Sequence, residues 1–370
     1  MKVVFLVHSL SMGGAERATV RWAEYWHSIG WDVHIITLSL GQNELSCPPH
    51  IPRHNCGLEN SSKASVFRRC FTLVRRMKAL RRLLKQIQPD VVLGMTVGPS
   101  LLLALLSRFS SKRSPPYLTV ACERTYPPLM PEGQITKVLR RYLYAYVDMV
   151  QSQTTQGADW LQAHTGCLKC CVIPNGITLP VLSPQPRSKG YVMLAVGRLD
   201  PVKGFDRLIR VFARLNAVHP DWILRIVGQG QEYDHLSDLI QAEGCQSVIE
   251  LCGAASDMSA QYQQADVLVL SSHVEGFPNV ILEALAHGLP VVSVDCQTGP
   301  RECITHGVNG LLVPQDDMVG LEQACSAIMG DHEMRKRMAS EAVDSVRSFT
   351  FDRVHQQWHD MFRSLNNQEN

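Results

Sequence analysis

The sequence has no long apolar run. Its longest uncharged stretch, Val91 to Ser107, is shorter than the ~20 residues a membrane span needs, and Gly94, Gly98 and Pro99 break it into a strand and a helix start. No secretory leader is expected, because residues 1–10 carry one basic residue, a short apolar run and no small-residue cleavage site. The G-x-G-x-x-G spacing is absent, which removes most of the support for a hydride-transfer enzyme. Net charge is small: 36 Lys and Arg against 34 Asp and Glu leave +2. A uniformly basic nucleic-acid binder is therefore excluded. Metal-ligand spacing is missing too. Cys167, Cys170 and Cys171 lie close together, but no second cluster follows, and His8, His34, His50 and His54 stand at no ligand spacing. The twelve cysteines are expected to be reduced and mostly buried, as in a cytosolic protein. Beyond the polar tail from Asn366 there is no low-complexity tract and no internal repeat.

What is present is a chain of 370 residues, 45% hydrophobic and 19% charged, which suits two packed domains of ~100–200 residues. The small net charge hides an asymmetry. Residues 1–176 hold 21 Lys and Arg against 10 Asp and Glu, and the remainder 15 against 24. A basic half joined to an acidic half points to a partner that meets the first half only. Short apolar runs at 3–8, 33–38, 91–95, 117–121 and 149–152 read as buried strands. Helical segments near 15–29, 66–87, 99–107, 131–146 and 154–163 lie between them. After the Pro-bearing stretch 174–187 the rhythm restarts, with strands at 191–197, 223–228, 248–251, 266–272 and 290–295. This alternation predicts an α/β protein of two doubly wound, Rossmann-like domains facing across a cleft lined by the carboxyl ends of the strands. The domains are expected at 1–176 and 177–350, followed by a final amphipathic helix and tail over 351–370.

Three segments carry chemistry. Ser11-Met12-Gly13-Gly14-Ala15-Glu16 follows the first strand and opens the first helix, so Gly13 and Gly14 let a ligand approach free N–H groups. Glycines at a first turn also occur for structural reasons alone. Gly197-Arg198-Leu199-Asp200-Pro201-Val202-Lys203-Gly204 places two cations at a strand-to-helix turn, where Arg gives a bidentate phosphate contact and Lys a point charge. The most specific segment is His273-Val274-Glu275-Gly276-Phe277-Pro278-Asn279-Val280-Ile281-Leu282-Glu283. Glu275 stays on the loop while Glu283 lies about one turn into the following helix, so both can face one cleft.

A fourth feature is the helix near 66–87. Between Glu59 and Asp90 stand nine basic residues and no acidic one. Leu73, Met77, Leu80, Leu84 and Ile87 form an apolar stripe that is expected to pack on the domain. Arg68, Arg75 and Arg82, flanked by Lys78 and Lys85, form the opposite face, with Phe67 and Phe71 beside it. This is either a solvated helix face or a surface for an anionic membrane or a lipid diphosphate, where each cation contributes ~1 kcal/mol at a charged bilayer.

The glutamate pair, the Gly-Arg…Lys-Gly segment, the Gly-Gly loop and Ile173-Pro174-Asn175-Gly176 stand in the order seen in retaining GT-B glycosyltransferases of family 4, which nearly the whole chain resembles. Cys122-Glu123-Arg124-Thr125-Tyr126-Pro127 and Thr298-Gly299-Pro300-Arg301-Glu302 resemble the subgroup of N-acetylgalactosaminyltransferases that extend polyprenyl-diphosphate-linked glycans. The resemblance implies a UDP-sugar donor, UDP-N-acetylgalactosamine or a related hexose donor, and a polyprenyl-diphosphate-linked saccharide as acceptor. It implies an enzyme peripheral on the cytoplasmic face of a membrane. It makes Arg198, Lys203 and Glu275 the catalytic candidates and assigns the donor to Gly13, Gly14, Gly228, Gly276, Phe277, Pro278, Asn279 and Glu283, with Glu283 on the ribose hydroxyls. No cofactor and no metal are implied, and no Asp-x-Asp is present. Where the wider family has a histidine after the corresponding strand of the first domain, this chain has Cys122-Glu123-Arg124. Glu123 and Arg124 become acceptor-side candidates there, beside Arg68, Arg75, Lys78 and Arg82. The final helix packs on the first domain in such proteins. Rival readings are transfer to a soluble acceptor, a catalytically silent nucleotide-sugar binder, and a sugar-nucleotide epimerase that needs no acceptor.

Overall fold

The computed structural model describes residues 1–11, 13–41, 44–57, 66–109, 116–129, 132–181 and 190–367, without the side chains of 66–70. The chain divides into two compact units, Met1–Pro174 with His355–Asn370, and Asn175–Val354.

The first unit is built on the strands β1 (Lys2–Val7), β2 (Asp32–Thr37), β3 (Arg53–Asn55), β4 (Val91–Gly94), β5 (Leu118–Glu123), β6 (Met149–Ser152) and β7 (Cys170–Val172). They form one parallel sheet in the order β3-β2-β1-β4-β5-β6-β7. Val3 to Val7 are all buried, as a strand covered on both faces requires. The helices are α1 (Gly14–Ser28), α2 (Val66–Ile87), α3 (Val97–Arg108), α4 (Gln134–Leu143) and α5 (Thr155–His164). The second unit holds β8 (Tyr191–Val196), β9 (Trp222–Val227), β10 (Ile249–Leu251), β11 (Val267–Leu270), β12 (Val291–Asp295) and β13 (Gly310–Pro314), also parallel, in the order β10-β9-β8-β11-β12-β13. Its helices are α6 (Phe205–Asn216), α7 (Tyr233–Ala242), α8 (Met258–Gln264), α9 (Asn279–Ala286), α10 (Pro300–Cys303), α11 (Met318–Gly330) and α12 (His332–Ser345). Apolar side chains from α6, α7 and α11 fill one face of this sheet, and those of α9 the other.

The ten strands expected from the apolar runs are present, and β3, β7 and β13 are additional. β3 is three residues of Arg-His-Asn and β7 is a short edge, so neither offers the apolar run by which a buried strand is recognised. The last helix, α13 (Phe351–Asn366), places Trp358 and Phe362 among Trp22, Trp26 and Trp31 of the first unit, with Trp26 and Trp358 edge to face at 5.9 Å. On α2 the packed stripe is shorter than its periodicity suggests. Leu80, Leu84 and Ile87 are buried with Met77 against them, but Leu73 is exposed, because the core beneath reaches only from Met77 onward. Among the described residues no helix is long and apolar enough to cross a membrane.

Candidate active site

In the second unit the strand order reverses between β8 and β11, so the loops leaving these two strands lie side by side. One is Gly197–Gly204 and the other runs from Ser271 to Pro278. That topology brings together two segments 72 positions apart: Lys203 Nζ donates to Glu275 Oε1 at 2.7 Å. Ser272 Oγ donates to the same oxygen at 2.6 Å, so both bonds end on Oε1. The Glu275 carboxylate is nearly buried, whereas Lys203 keeps 23% of its side chain exposed. Arg198 is 75% exposed and only loosely held, 3.4 Å from Asp200. Asp200 has a second task, accepting from the Val202 N–H at 3.1 Å to cap the turn Pro201–Lys203. One cation is thus fixed and desolvated, and the other remains available to an anionic ligand.

Residues outside the two segments hold this loop. Arg207 of α6 is buried and donates to the Ser271 and Ser272 carbonyls at 2.7 and 2.9 Å, clamping the end of β11. Thr298 Oγ1 donates to the Glu275 carbonyl at 2.6 Å. Thr298 and Gly299 have φ of 65° and 102°, and a Cβ at Gly299 would overlap Pro278, so this turn fits closely against the Glu275 loop. The signal for Thr298 was its Thr-Gly-Pro-Arg-Glu segment; for Arg207, one basic residue in an amphipathic helix, no sequence signal existed. Burial raises the Cys296 thiol to about 12, and the nearby Glu275 charge adds to this.

The donor-side candidates fall into groups. Phe277 and Pro278 are buried, and Phe277 sits in the core beside Phe349, so its ring anchors the loop. Asn279 opens α9, and its side-chain carbonyl accepts from the buried Asn175 amide at 2.7 Å. Glu283 lies one turn further along, with its Oε2 accepting from the Tyr262 hydroxyl at 2.9 Å. A Cβ at Gly228 would overlap the Gly197 carbonyl, so glycine there keeps β9 close to the Arg198 loop. Gly276 is half-buried between Glu275 and Phe277.

In the first unit, Gly13 caps α1 and the Glu16 carboxylate folds back over it, where a Cβ would collide with it. Burial raises Glu16 above the usual carboxylate range, although its own backbone N–H opposes this. A Cβ at Gly14, by contrast, meets nothing within 4 Å. Met12 of this loop lies outside the described residues. Glu123 is buried and committed elsewhere: it accepts from Arg140 Nε at 2.9 Å and from the Tyr144 hydroxyl at 2.5 Å. Through Oε1 the carboxylate of Glu123, an acceptor-side candidate, joins β5 to α4 and the following turn. Burial holds Glu123 above the usual carboxylate range against the pull of Arg140. Arg124 is also buried, with one guanidinium nitrogen 3.7 Å from the Met95 sulfur. On α2, Arg75, Lys78 and Arg82 are exposed, and Arg75 lies 5.8 Å over the exposed Phe71 ring. The side chains of Arg68 and Phe67 lie outside the described residues.

Two family models divide the chain: residues 12–179 match glycosyltransferase family 4, and residues 183–344 match glycosyl transferases group 1. The chain is 30% identical over 316 residues, 85% of its length, to an exopolysaccharide phosphotransferase of Streptomyces coelicolor, but it spans only 32% of that relative. It is 23% identical over 368 residues to a Campylobacter jejuni α-1,4-N-acetyl-D-galactosaminyltransferase whose name specifies a diphospho-undecaprenol-linked glycan, covering 99% of each chain. Among solved structures, Anabaena HepE in complex with UDP superposes with a TM-score of 0.80 at 20% identity, covering 98% of this chain and all of that one. The first part of the chain is therefore similar to glycosyltransferase family 4 and the second to glycosyl transferases group 1, on the two-domain GT-B fold.

Proposed function

We propose that the protein is a retaining glycosyltransferase that moves a sugar, N-acetylgalactosamine or a related hexose, from a UDP-sugar to a polyprenyl-diphosphate-linked saccharide. The observation that carries this reading is the Lys203–Glu275 pair at the strand-order reversal, with the exposed Arg198 on the same loop as Lys203. As the bond from the anomeric carbon to the diphosphate breaks, positive charge builds on the sugar and negative charge on the leaving group. Arg198 and Lys203, rather than a metal, neutralise the diphosphate; Lys203, already held by Glu275 in a mostly buried position, does so with little reorganisation. Glu275 and the backbone after Gly276 hold the sugar hydroxyls, and Glu283 holds the ribose. The acceptor hydroxyl attacks from the face the leaving group vacates, and its proton passes to the departing phosphate. The configuration is thereby retained without a second carboxylate.

The lipid-linked acceptor is supported by the exposed cations of α2 and by the name of the Campylobacter relative. It agrees with a peripheral position on the cytoplasmic face of a membrane. The test is mass spectrometry of polyprenyl-diphosphate-linked glycans incubated with the enzyme and a panel of UDP-sugars. Gain of one or more sugar residues is expected. Transfer to soluble saccharides alone, sugar-nucleotide binding without transfer, or conversion of the nucleotide sugar without any acceptor would overturn it.

A further inference from the structure

Helix α4 is built inside out. Ile135, Val138, Leu139 and Tyr142 stand at i, i+3, i+4 and i+7, the spacing of a stripe that ordinarily faces a core. Here all four face water, from 40% exposed at Leu139 to 76% at Ile135. The side turned inward carries Arg140, whose guanidinium is held by Glu123 and Glu132. Burial lowers the Arg140 pKa, but the Glu132 hydrogen bond and the Glu123 charge hold it above its usual value. A buried ion pair thus fixes the helix in the orientation that leaves its apolar face outside.

The apolar face does not end with the helix. Tyr146 in the next turn and Phe109 after α3 are exposed, and the Arg108 guanidinium lies 5.2 and 5.9 Å from their rings. The Phe109 carbonyl accepts from Arg81 of α2 at 3.1 Å, which joins this patch to the exposed cations Arg75, Lys78, Arg82 and Lys85. Across 71–87, 97–109 and 134–147 the sequence has no acidic residue.

We propose that this continuous surface, α4 with the ends of α2 and α3, docks on an anionic phospholipid bilayer. The α4 stripe enters the headgroup boundary and the flanking cations meet lipid phosphates. Aliphatic side chains, aromatic rings and cations without carboxylates are the composition of an interfacial helix. A second copy of the chain fits poorly, since a twofold contact would face these cations with themselves. The proposal deepens the lipid-linked-acceptor reading and rests on it for its purpose, but its test does not depend on transfer.

The full chain is sedimented with vesicles of phosphatidylglycerol and phosphatidylcholine, and separately with phosphatidylcholine alone, all without any glycan lipid. The unmodified protein is expected to partition onto the anionic vesicles. Ile135→Ser/Val138→Ser/Tyr142→Ser is expected to lose at least tenfold in partitioning with an unchanged melting temperature, because these side chains already face water. With a Tyr142→Trp variant, anionic vesicles are expected to shift the indole emission to the blue. Equal partitioning of the triple variant, or no emission shift, overturns the proposal. So does a dimer of the unmodified protein, seen by analytical ultracentrifugation, that the triple variant abolishes. Transfer to a detergent-dispersed lipid-linked acceptor is measured separately. If that transfer succeeds while vesicle binding is absent, the docking surface falls and the acceptor reading stands; the converse result leaves the surface and removes the acceptor.

Discussion

Arg198 and Lys203 are both assigned to the diphosphate, yet their surroundings predict different behaviour when each is replaced by alanine. Lys203→Ala leaves the nearly buried Glu275 carboxylate with Ser272 but without its cation. Breaking a fully buried pair costs about 3–5 kcal/mol, and since Lys203 is 23% exposed, roughly 2 kcal/mol is expected here after discounting for solvent. For a unit of this size that is a fall of about 4–8 °C in melting temperature. Arg198→Ala removes a side chain that is 75% exposed and 3.4 Å from Asp200, a surface pair worth about 0–1 kcal/mol at most. Asp200 keeps its cap on Val202 in that variant, so the melt should barely move. In catalysis the two converge. Each loses a charge-assisted phosphate contact of about 1.5–3 kcal/mol, a drop of roughly 10- to 150-fold in turnover. The assay pairs thermal melts with kcat at saturating UDP-sugar for both variants. Near-normal kcat in both would refute the diphosphate assignment, and an unchanged melt for Lys203→Ala would refute the cost assigned to stranding Glu275.

Other perturbations separate the remaining roles. Glu283→Gln is expected to weaken UDP binding by calorimetry more than it slows chemistry, and unchanged UDP affinity would count against a ribose contact. Arg75→Gln/Lys78→Gln/Arg82→Gln should keep the fold and UDP affinity but raise KM for the lipid-linked acceptor, an effect that added salt should mimic; a triple variant with normal KM would leave α2 as a solvated face. Hydrogen bonding from Cys170 lowers the Cys167 thiol to about 6, whereas burial pushes Cys56, Cys122 and Cys325 up to about 11, 12 and 12. With its thiol held lower than these, Cys167 should be labelled by iodoacetamide ahead of them as pH rises. In Cys170→Ala that reactivity should move to higher pH, and a profile that does not move would show that Cys170 is not the cause.

Most of the fold was legible because parallel sheets covered on both faces demand near-continuous apolar strands, which stand out against amphipathic helices. β1 and β11 are such strands. What escaped were short edges such as β3 and β7, where three residues carry no period. In the site, the residue types at the strand-to-helix turns were readable, but their partners were not. The ion pair between Lys203 and Glu275 depends on the strand order β8-β11, and no local spacing encodes that order. Arg207 and Tyr262 act through contacts 64 and 21 residues away, which lie beyond any motif.

Glu123 and α4 depart together from what local pattern alone suggests, for a single physical reason. A carboxylate at the end of a central strand reads as a group offered to a ligand, and an apolar stripe at helical spacing reads as core. In the structure Glu123 turns inward to Arg140 and Tyr144, and the stripe of α4 turns outward. Each departure requires the other. With its apolar side packed inward, α4 would point Arg140 at water and leave Glu123 buried without a cation, at a cost of several kcal/mol by the measure of broken buried pairs. The buried pair therefore specifies the orientation of the helix more than it stabilises the unit. Sequences that break local rules in a concerted way tend to do so at functional surfaces. If this coupling holds, Arg140→Met should release α4 to repack its apolar side, so that Ile135 and Tyr142 become shielded. Solvent accessibility of a cysteine introduced as Ile135→Cys, measured with and without Arg140→Met, tests it. Equal labelling in the two backgrounds would show that the buried pair does not set the face that α4 presents.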